Sequence, residues 1–284
     1  MTTEAYAKVN LTLEVFGVRG DGYHAIRSLV VPVSLSDSLE IEPSSELSSD
    51  TGFPDDLVVK AARVLDPSRG AEIRVTKRIP VGGGLGGGSA DAAAALVALN
   101  DMWGAGHSRE SLAKIAAHVG SDVPALILGG PVVMQGRGEV VERVACPRLD
   151  LVVANPGVHS STREVYAHCS ERDPAAPSAT EACLAALAGG DLGRIAASLA
   201  NDLAMSACRL HPEIADALAS LRTAGALGAT VSGSGSSVFG LAESAAQAAE
   251  IAGELRRKGL AAWPVASVSA GDAGFGTRHL EVNS

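Results

Sequence analysis

Residues 80–94 read PVGGGLGGGSADAAA, six glycines in fifteen positions. Glycine reaches backbone angles closed to other residues and lets the chain approach an anion closely. The Ala-rich run that follows favours a helix, whose first turn leaves N–H groups free. Gly82, Gly83, Gly84, Leu85, Gly86, Gly87 and Gly88 thus form a backbone cradle suited to phosphate, entered through Pro80 and Val81. Ser89 is expected at the helix N-cap, where its hydroxyl adds to the cradle, with Ala90 and Asp91 in the first turn. A flexible linker is the alternative. Linkers are polar and Ser-rich, whereas this loop joins an apolar strand to an Ala-rich helix.

Two common phosphate motifs do not account for the loop. Gly82, Gly84 and Gly87 satisfy G-x-G-x-x-G, but that fingerprint opens a first βαβ unit and needs an acid about twenty residues later on a strand. Here two strands and a helix come first, and residues 100–110 continue as helix and loop. The P-loop pattern fits the spacing of Gly83 and Gly88, but Ser89 stands where its lysine is required.

Around the loop, hydrophobic period and turn residues predict the elements that must hold it. Residues 3–15 and 29–42 read as strands joined by GVRGDGYH. In the first strand Tyr6 and Lys8 share one face, and Val9, Leu11 and Leu13 share the other. A helix is expected over 55–65 with an acidic first turn, and a strand over 72–81 that Pro80 ends. The loop then opens a helix from about Ser89 to Trp103, with Leu96, Leu99 and Trp103 on one stripe. Short helices follow at 108–118 and in GSDVPALILGG, then a hairpin over 130–145 that turns at GRGE. CPRLD, at 146–150, marks a domain boundary. Beyond it LVVANPG is a strand and turn, and helices are expected over 179–187, 191–205 and 211–224. GATV-SGSGSS-VFGLAE reads as strand, loop, strand; SAAQAAEIAGELRRKG is an amphipathic helix; AAWPVASVSA is a last strand. The order predicts an α+β protein of two domains, 1–147 and 148–284, with the site in the cleft between them.

Composition narrows the function. The 284 residues are 46% hydrophobic, enough for large cores without staples. Acids exceed bases by 32 − 23 = 9, which argues against a nucleic-acid or anionic-membrane partner but leaves room for a phosphorylated small molecule. Cys146, Cys169, Cys183 and Cys208 form no C-x-x-C pair and read as free thiols of a reducing cytoplasm. No signal peptide and no apolar run near eighteen residues is present, and oligomeric state is not encoded in any pattern seen here.

With its flanks, KRIPVGGGLGGGSADAA resembles the second motif of the GHMP kinases, which bind ATP at a left-handed strand–helix–strand site. AYAKVNLTL resembles their first motif and VSGSGSSVFGL, at 231–241, their third. The combination of K-x-N, D-G-Y-H, GGGLGGGS and GSDVP narrows the resemblance to the branch acting on 4-diphosphocytidyl-2-C-methyl-D-erythritol in non-mevalonate isoprenoid biosynthesis. The resemblance implies an N-terminal ribosomal-protein-like α/β domain, a C-terminal ferredoxin-like domain, ATP as phosphoryl donor and Mg²⁺ with it. Ser89 is a candidate metal contact, and the remaining metal ligands are unknown.

The resemblance also weights individual residues. Taken alone, Lys8 reads as a solvated lysine and Asp122 equally as a helix cap or a functional acid. The family places a lysine and a catalytic acid at these positions. Asp122 becomes the expected general base, and Lys8 the group that keeps it charged and orients the hydroxyl. Asn10, on the same face as Lys8, is expected to hydrogen-bond substrate. Tyr23 and His24 stand in a D-G turn but match the family's cytidine-binding element. Tyr166 is an ordinary helix-face aromatic or the aromatic that stacks on cytosine, with Thr162 on the same face four residues earlier. Ser232, Gly233 and Ser234 form the third-motif loop, and Lys77 is expected near adenine. Relatives often carry Asn where Asp56 stands, so an adenine contact through Asp56 loses its donor. Another kinase of the family, such as a homoserine kinase, would have no base to stack. A nucleotide-binding sensor on the same fold would have no use for a general base. His107, His118, His159, His168, His211 and His279 are scattered and are read as surface residues.

Overall fold

Alternation of apolar and polar residues makes β1 (Thr2–Val18) and β2 (His24–Ser44) long antiparallel partners, with Lys8 opposite Pro32 and Val15 opposite Ile26. The computed structural model describes residues 1–269. His279, and the end of the segment 148–284, lie outside the described residues.

The first sheet runs β3 (Leu47–Ser49), β4 (Gly70–Thr76), β2, β1, β8 (Ala200–Asn201). The hairpin β5 (Val132–Gly136) and β6 (Val140–Arg143) attaches to the other half of β2. The second sheet is antiparallel, in the order β11 (Ala261–Ala266), β7 (Asp150–Asn155), β10 (Val238–Ala242), β9 (Gly228–Val231). Helices α9 (Pro212–Thr223) and α10 (Ala245–Arg257) turn Ile214, Leu218, Leu221, Ile251 and Leu255 onto it. Among the described residues no helix is long and apolar enough to cross a membrane.

Helix α1 (Leu57–Leu65) begins one residue after Asp56. That residue is its N-cap, its carboxylate accepting from the Val58 and Val59 N–H groups and the Thr51 hydroxyl. The acid expected inside the first turn therefore sits just before it. Helix α2 (Gly87–Trp103) packs against β1 and α1 and is buried on most sides, because its alanines allow close approach. Trp103, placed on the buried stripe by period alone, is only partly covered. Helices α3 (Arg109–Ala116) and α4 (Val123–Leu128) complete this layer.

Three sequence expectations change. Strand β4 stops at Thr76 instead of reaching Pro80. The Asp37 carboxylate takes the Arg78 and Ile79 N–H groups at 2.5 and 2.8 Å, replacing the ladder bonds and drawing the chain out of the sheet. The single helix expected over 191–205 is α7 (Leu192–Ser198), then β8, then α8 (Ala204–Leu210). Ala200 and Asn201 pair with Thr12 and Leu13 of β1, and this long-range pairing interrupts the helix at 199–203, where no Gly or Pro breaks it locally. The polar face of β1 is not solvated. Lys8, Asn10, Thr12 and Glu14 are all buried, Thr12 and Glu14 by hydrogen bonds to residues 178–180 at the start of α6 (Ala179–Gly189).

Candidate active site

The glycine loop is fixed from both sides. The Lys8 N–H donates to Leu85 O at 2.9 Å, and Leu85 is buried. From the second sheet's side, the Ser237 N–H donates to Gly83 O at 3.0 Å and the Ser232 hydroxyl to Gly84 O at 3.0 Å. Gly84 has φ +75°, and a Cβ there would lie 2.1 Å from Ser232 O, so only glycine fits. Gly86, at φ +70°, is the N-cap of α2, and its Cβ would meet the Lys8 stem at 3.1 Å. Ser89 is therefore the third residue of the helix and not its cap, which leaves its hydroxyl free of capping duty.

Two cavities meet at this loop. One, of about 450 Å³, lies between the loop and residues 51–58, with Lys77, Pro80, Val81 and Ser89 in its wall. The other, of about 790 Å³, is lined by Lys8, Asn10, Tyr23, His24, Asp122 and Tyr166, among others. Gly84, Gly86 and Ser89 border both. Ala90 is buried beneath the loop and lines neither, and Ser232 is buried against Gly84 and lines neither.

In the larger cavity Lys8 is only 4% exposed, so its ammonium needs partners. It has Asn10 Oδ1 at 2.7 Å and Asp122 Oδ2 at 3.6 Å. A solvated Lys8, the reading of the strand pattern alone, is overturned, because the glycine loop at Gly86 and the third-motif loop at Gly233 close over it. The Asn10 amide donates onward to Ser28 Oγ at 2.8 Å, which fixes its orientation. Asp122 occupies the N-cap position of α4, yet its side chain makes no capping hydrogen bond. The carboxylate is one-third exposed and turned to Lys8.

At the other end the His24 and Tyr166 rings lie 5.3 Å apart, tilted by 30°. The His24 Nδ1 contacts Phe16 O at 3.1 Å. Tyr166 and Thr162 share α5 (Thr162–Ala167), and the Thr162 hydroxyl meets Ser234 Oγ at 2.8 Å. Burial raises the Tyr166 phenol above its usual range, and the negative charge of Asp122 adds to that. Gly233 comes within 3.4 Å of Lys8 Nζ, measured from an ideal Cβ.

Sequence reasoning missed several residues here. Asn201 donates to Val231 O and Gly233 O at 2.8 and 2.7 Å and so positions the third loop. Asn155 holds Ser237 Oγ at 2.9 Å. His159, read as scattered, lies against Gly82, where a Cβ would come within 2.8 Å of its ring. No local pattern distinguishes these positions, which long-range folding brings to the loop.

Lys77, expected near adenine, stands in the wall of the smaller cavity. Its ammonium is clamped between Asp37 and Asp91, the latter at 2.6 Å. Burial disfavours its charge, and the two carboxylates more than reverse this, raising its pKa. Asp91 is 3% exposed and its Oδ1 makes no hydrogen bond. Burial pushes its carboxyl up to about 7, Lys77 opposes the shift, and Asp37 adds to it. Among the described residues no group of three His, Cys, Asp or Glu side chains could hold a metal ion. A hard cation would sit at the loop as a partner of bound phosphate, with Ser89 among the protein oxygens in the wall.

The N terminal domain of the GHMP kinases matches residues 56–130, and the GHMP kinases C terminal domain matches residues 182–261. The chain is 42% identical over 270 residues to a 4-diphosphocytidyl-2-C-methyl-D-erythritol kinase of Pelotomaculum thermopropionicum, covering 90% of this chain and 94% of that one. It is 45% identical over 255 residues to the protein of the same name from Symbiobacterium thermophilum, covering 85% and 90%. A crystal structure of 4-(cytidine 5'-diphospho)-2C-methyl-D-erythritol kinase superposes with a TM-score of 0.83 at 37% identity, covering 95% of this chain and all of that one. A homoserine kinase from Cytophaga hutchinsonii superposes at 0.71 with 22% identity over 94% of each chain, which speaks to the fold alone.

Proposed function

This chain belongs to the GHMP kinases, in the branch of the 4-diphosphocytidyl-2-C-methyl-D-erythritol kinases, and from that premise we propose how its residues carry the reaction. The γ-phosphate of ATP is transferred to the 2-hydroxyl of 4-diphosphocytidyl-2-C-methyl-D-erythritol, a step of non-mevalonate isoprenoid biosynthesis. The division near residue 147 separates the loop-bearing domain from the one that supplies Tyr166 and Ser234. The chemistry proceeds in the cytoplasm without nucleic-acid or membrane partners, a reading that the net charge of −9 and the four free thiols support.

The observation that carries the mechanism is the Lys8–Asp122 pair beside the glycine loop. Asp122 takes the proton of the acceptor hydroxyl as that oxygen attacks the γ-phosphorus, and the bond to the β-phosphate oxygen breaks to leave ADP. Lys8 pairs with that carboxylate and orients the hydroxyl. The backbone of Gly82–Gly88 and the start of α2 hold the ATP phosphates in the smaller cavity. Mg²⁺ would be held by those phosphates with Ser89 beside them, and it would supply neutralisation of their charge. Cytosine is received beside the His24–Tyr166 ring pair, with Tyr23 at the rim, and Thr162, Asn10, Gly233 and Ser234 line the path to the hydroxyl. This aromatic end favours a cytidine-bearing acceptor over homoserine.

The test is ADP release from Mg-ATP with and without 4-diphosphocytidyl-2-C-methyl-D-erythritol, in wild type and Asp122→Asn. Substrate-dependent release that falls by about 10²–10⁴ in the variant is expected. Release that ignores the substrate would refute the acceptor, and release unchanged in the variant would remove Asp122 as the base.

A further inference from the structure

The β5–β6 turn, Gly136–Glu139, has no part in the chemistry above, yet it borders the larger cavity through Arg137. Its shape is built in. Gly136 has φ +75° and Gly138 φ +119°. The Glu139 carboxylate folds back to accept from the Arg137 N–H at 2.6 Å, and it pairs with Arg19 at 3.2 Å. Arg19 belongs to the connection that carries Tyr23, so the two loops are bolted together.

The turn reaches both ends of the cavity. At the aromatic end the Arg137 guanidinium lies 5.5 Å from the centre of the Tyr23 ring. At the reacting end Gly138 approaches Ser121 O to 3.0 Å, measured from an ideal Cβ, next to Asp122. Arg137 therefore stands between the place for a base and the place for a reacting hydroxyl. No carboxylate pairs with its guanidinium within 4 Å among the described residues, although the Glu139 charge is close enough to be felt. Lys8, another cation on this wall, is committed to Asn10 and Asp122.

We infer that Arg137 is a specificity-determining residue that meets the diphosphate joining base to alcohol in the acceptor, with Glu139, Arg19 and Tyr23 as its brace. The inference rests on the acceptor proposed above. A guanidinium presents a planar fork suited to phosphate oxygens, and stacking on Tyr23 holds that fork without spending its donors. Arg163 of α5 also lines the cavity and is the rival cation.

Calorimetric binding of CDP and of cytidine, with no ATP and no turnover, separates the two readings. Wild type should prefer CDP to cytidine by roughly ten- to a hundredfold, the size of a charge-assisted contact. In Arg137→Met that preference should collapse while cytidine affinity and the KM for ATP stay put. Arg163→Met should keep it. A preference that survives in Arg137→Met, or is lost only in Arg163→Met, overturns the inference but leaves the acceptor standing. Wild type that binds neither ligand overturns the acceptor itself and the inference with it.

Discussion

The two cavities that meet at Gly84 and Gly86 are made in opposite ways. The smaller cavity, proposed for the nucleotide, sets one contiguous stretch, Pro80–Ser89, against residues 51–58, with the Lys77 clamp beneath it. The acceptor side is side chains drawn from β1, the 19–24 connection, the start of α4, the β5–β6 turn, α5 and the third-motif loop. A backbone cradle needs only torsion angles and close approach, so it is intolerant of an added carbon and indifferent to charge. A side-chain cleft depends on partners far apart in sequence, so it is sensitive to charge and to the loss of a single group.

The sharpest way to break this contrast lies within the glycine loop. Gly84→Ala forces a Cβ to 2.1 Å from a backbone oxygen at positive φ, and we expect a loss of about 4 kcal/mol, seen as failed ATP binding and lowered Tm. Gly88→Ala meets only Leu57 Cδ1 at 3.7 Å and should be silent in both measurements. Equal effects would mean that the cradle is not defined by backbone approach.

Next in size is Lys77→Met, which leaves Asp37 and Asp91 facing each other in a buried place. Breaking a buried pair of this kind costs about 3 kcal/mol, measured by denaturant unfolding. The KM for ATP should rise with it, because Asp37 fixes residues 78–79 ahead of the loop and Asp91 belongs to the first turns of α2. Intact stability in this variant would show that the clamp does not support the cradle.

Tyr166→Ala belongs to the other cavity. Removing the aromatic partner of a base should weaken the acceptor by ~1–3 kcal/mol, read as KM for the cytidylyl substrate, with KM for ATP unchanged. A rise in the ATP constant instead would blur the division between the cavities.

The smallest effect is a pH dependence. The Asp91 carboxyl is raised from 3.8 to about 7 in the folded protein. The folded state therefore binds its proton more tightly between those values. The destabilisation is absent below about pH 4 and fully developed above about pH 7. In Asp91→Asn the Tm relative to wild type should rise as pH increases through that window. A difference that is flat with pH would place the Asp91 titration elsewhere.

Legibility followed the same division. The strand–loop–helix around Gly82–Gly88 could be read directly, because period, glycine and alanine are local signals. Helix starts misplaced by one to three residues, at Asp56 and Ser89, moved because Asp56 caps α1 from outside and Gly86 takes the left-handed cap of α2. Alternation alone puts Lys8 on a solvated face, because it reports which face of a strand is polar, not what covers that face, and only the family resemblance set the lysine beside Asp122. Arg137, Asn201 and Asp37 gave no signal, since each acts on residues at least thirty positions away or on a cavity wall.

By itself the sequence determined the cradle, the α+β order of elements and, through its motifs, the family. These depend on torsion angles, hydrophobic period and contiguous residue types. Only the tertiary structure decided that Lys8 is buried against Asp122, that Lys77 is clamped by Asp37 and Asp91, and that the GRGE turn reaches from Tyr23 to Ser121. Those are meetings between segments whose separation along the chain carries no information about their separation in space, and burial, which sets the strength of each charge pair, exists only once they have met.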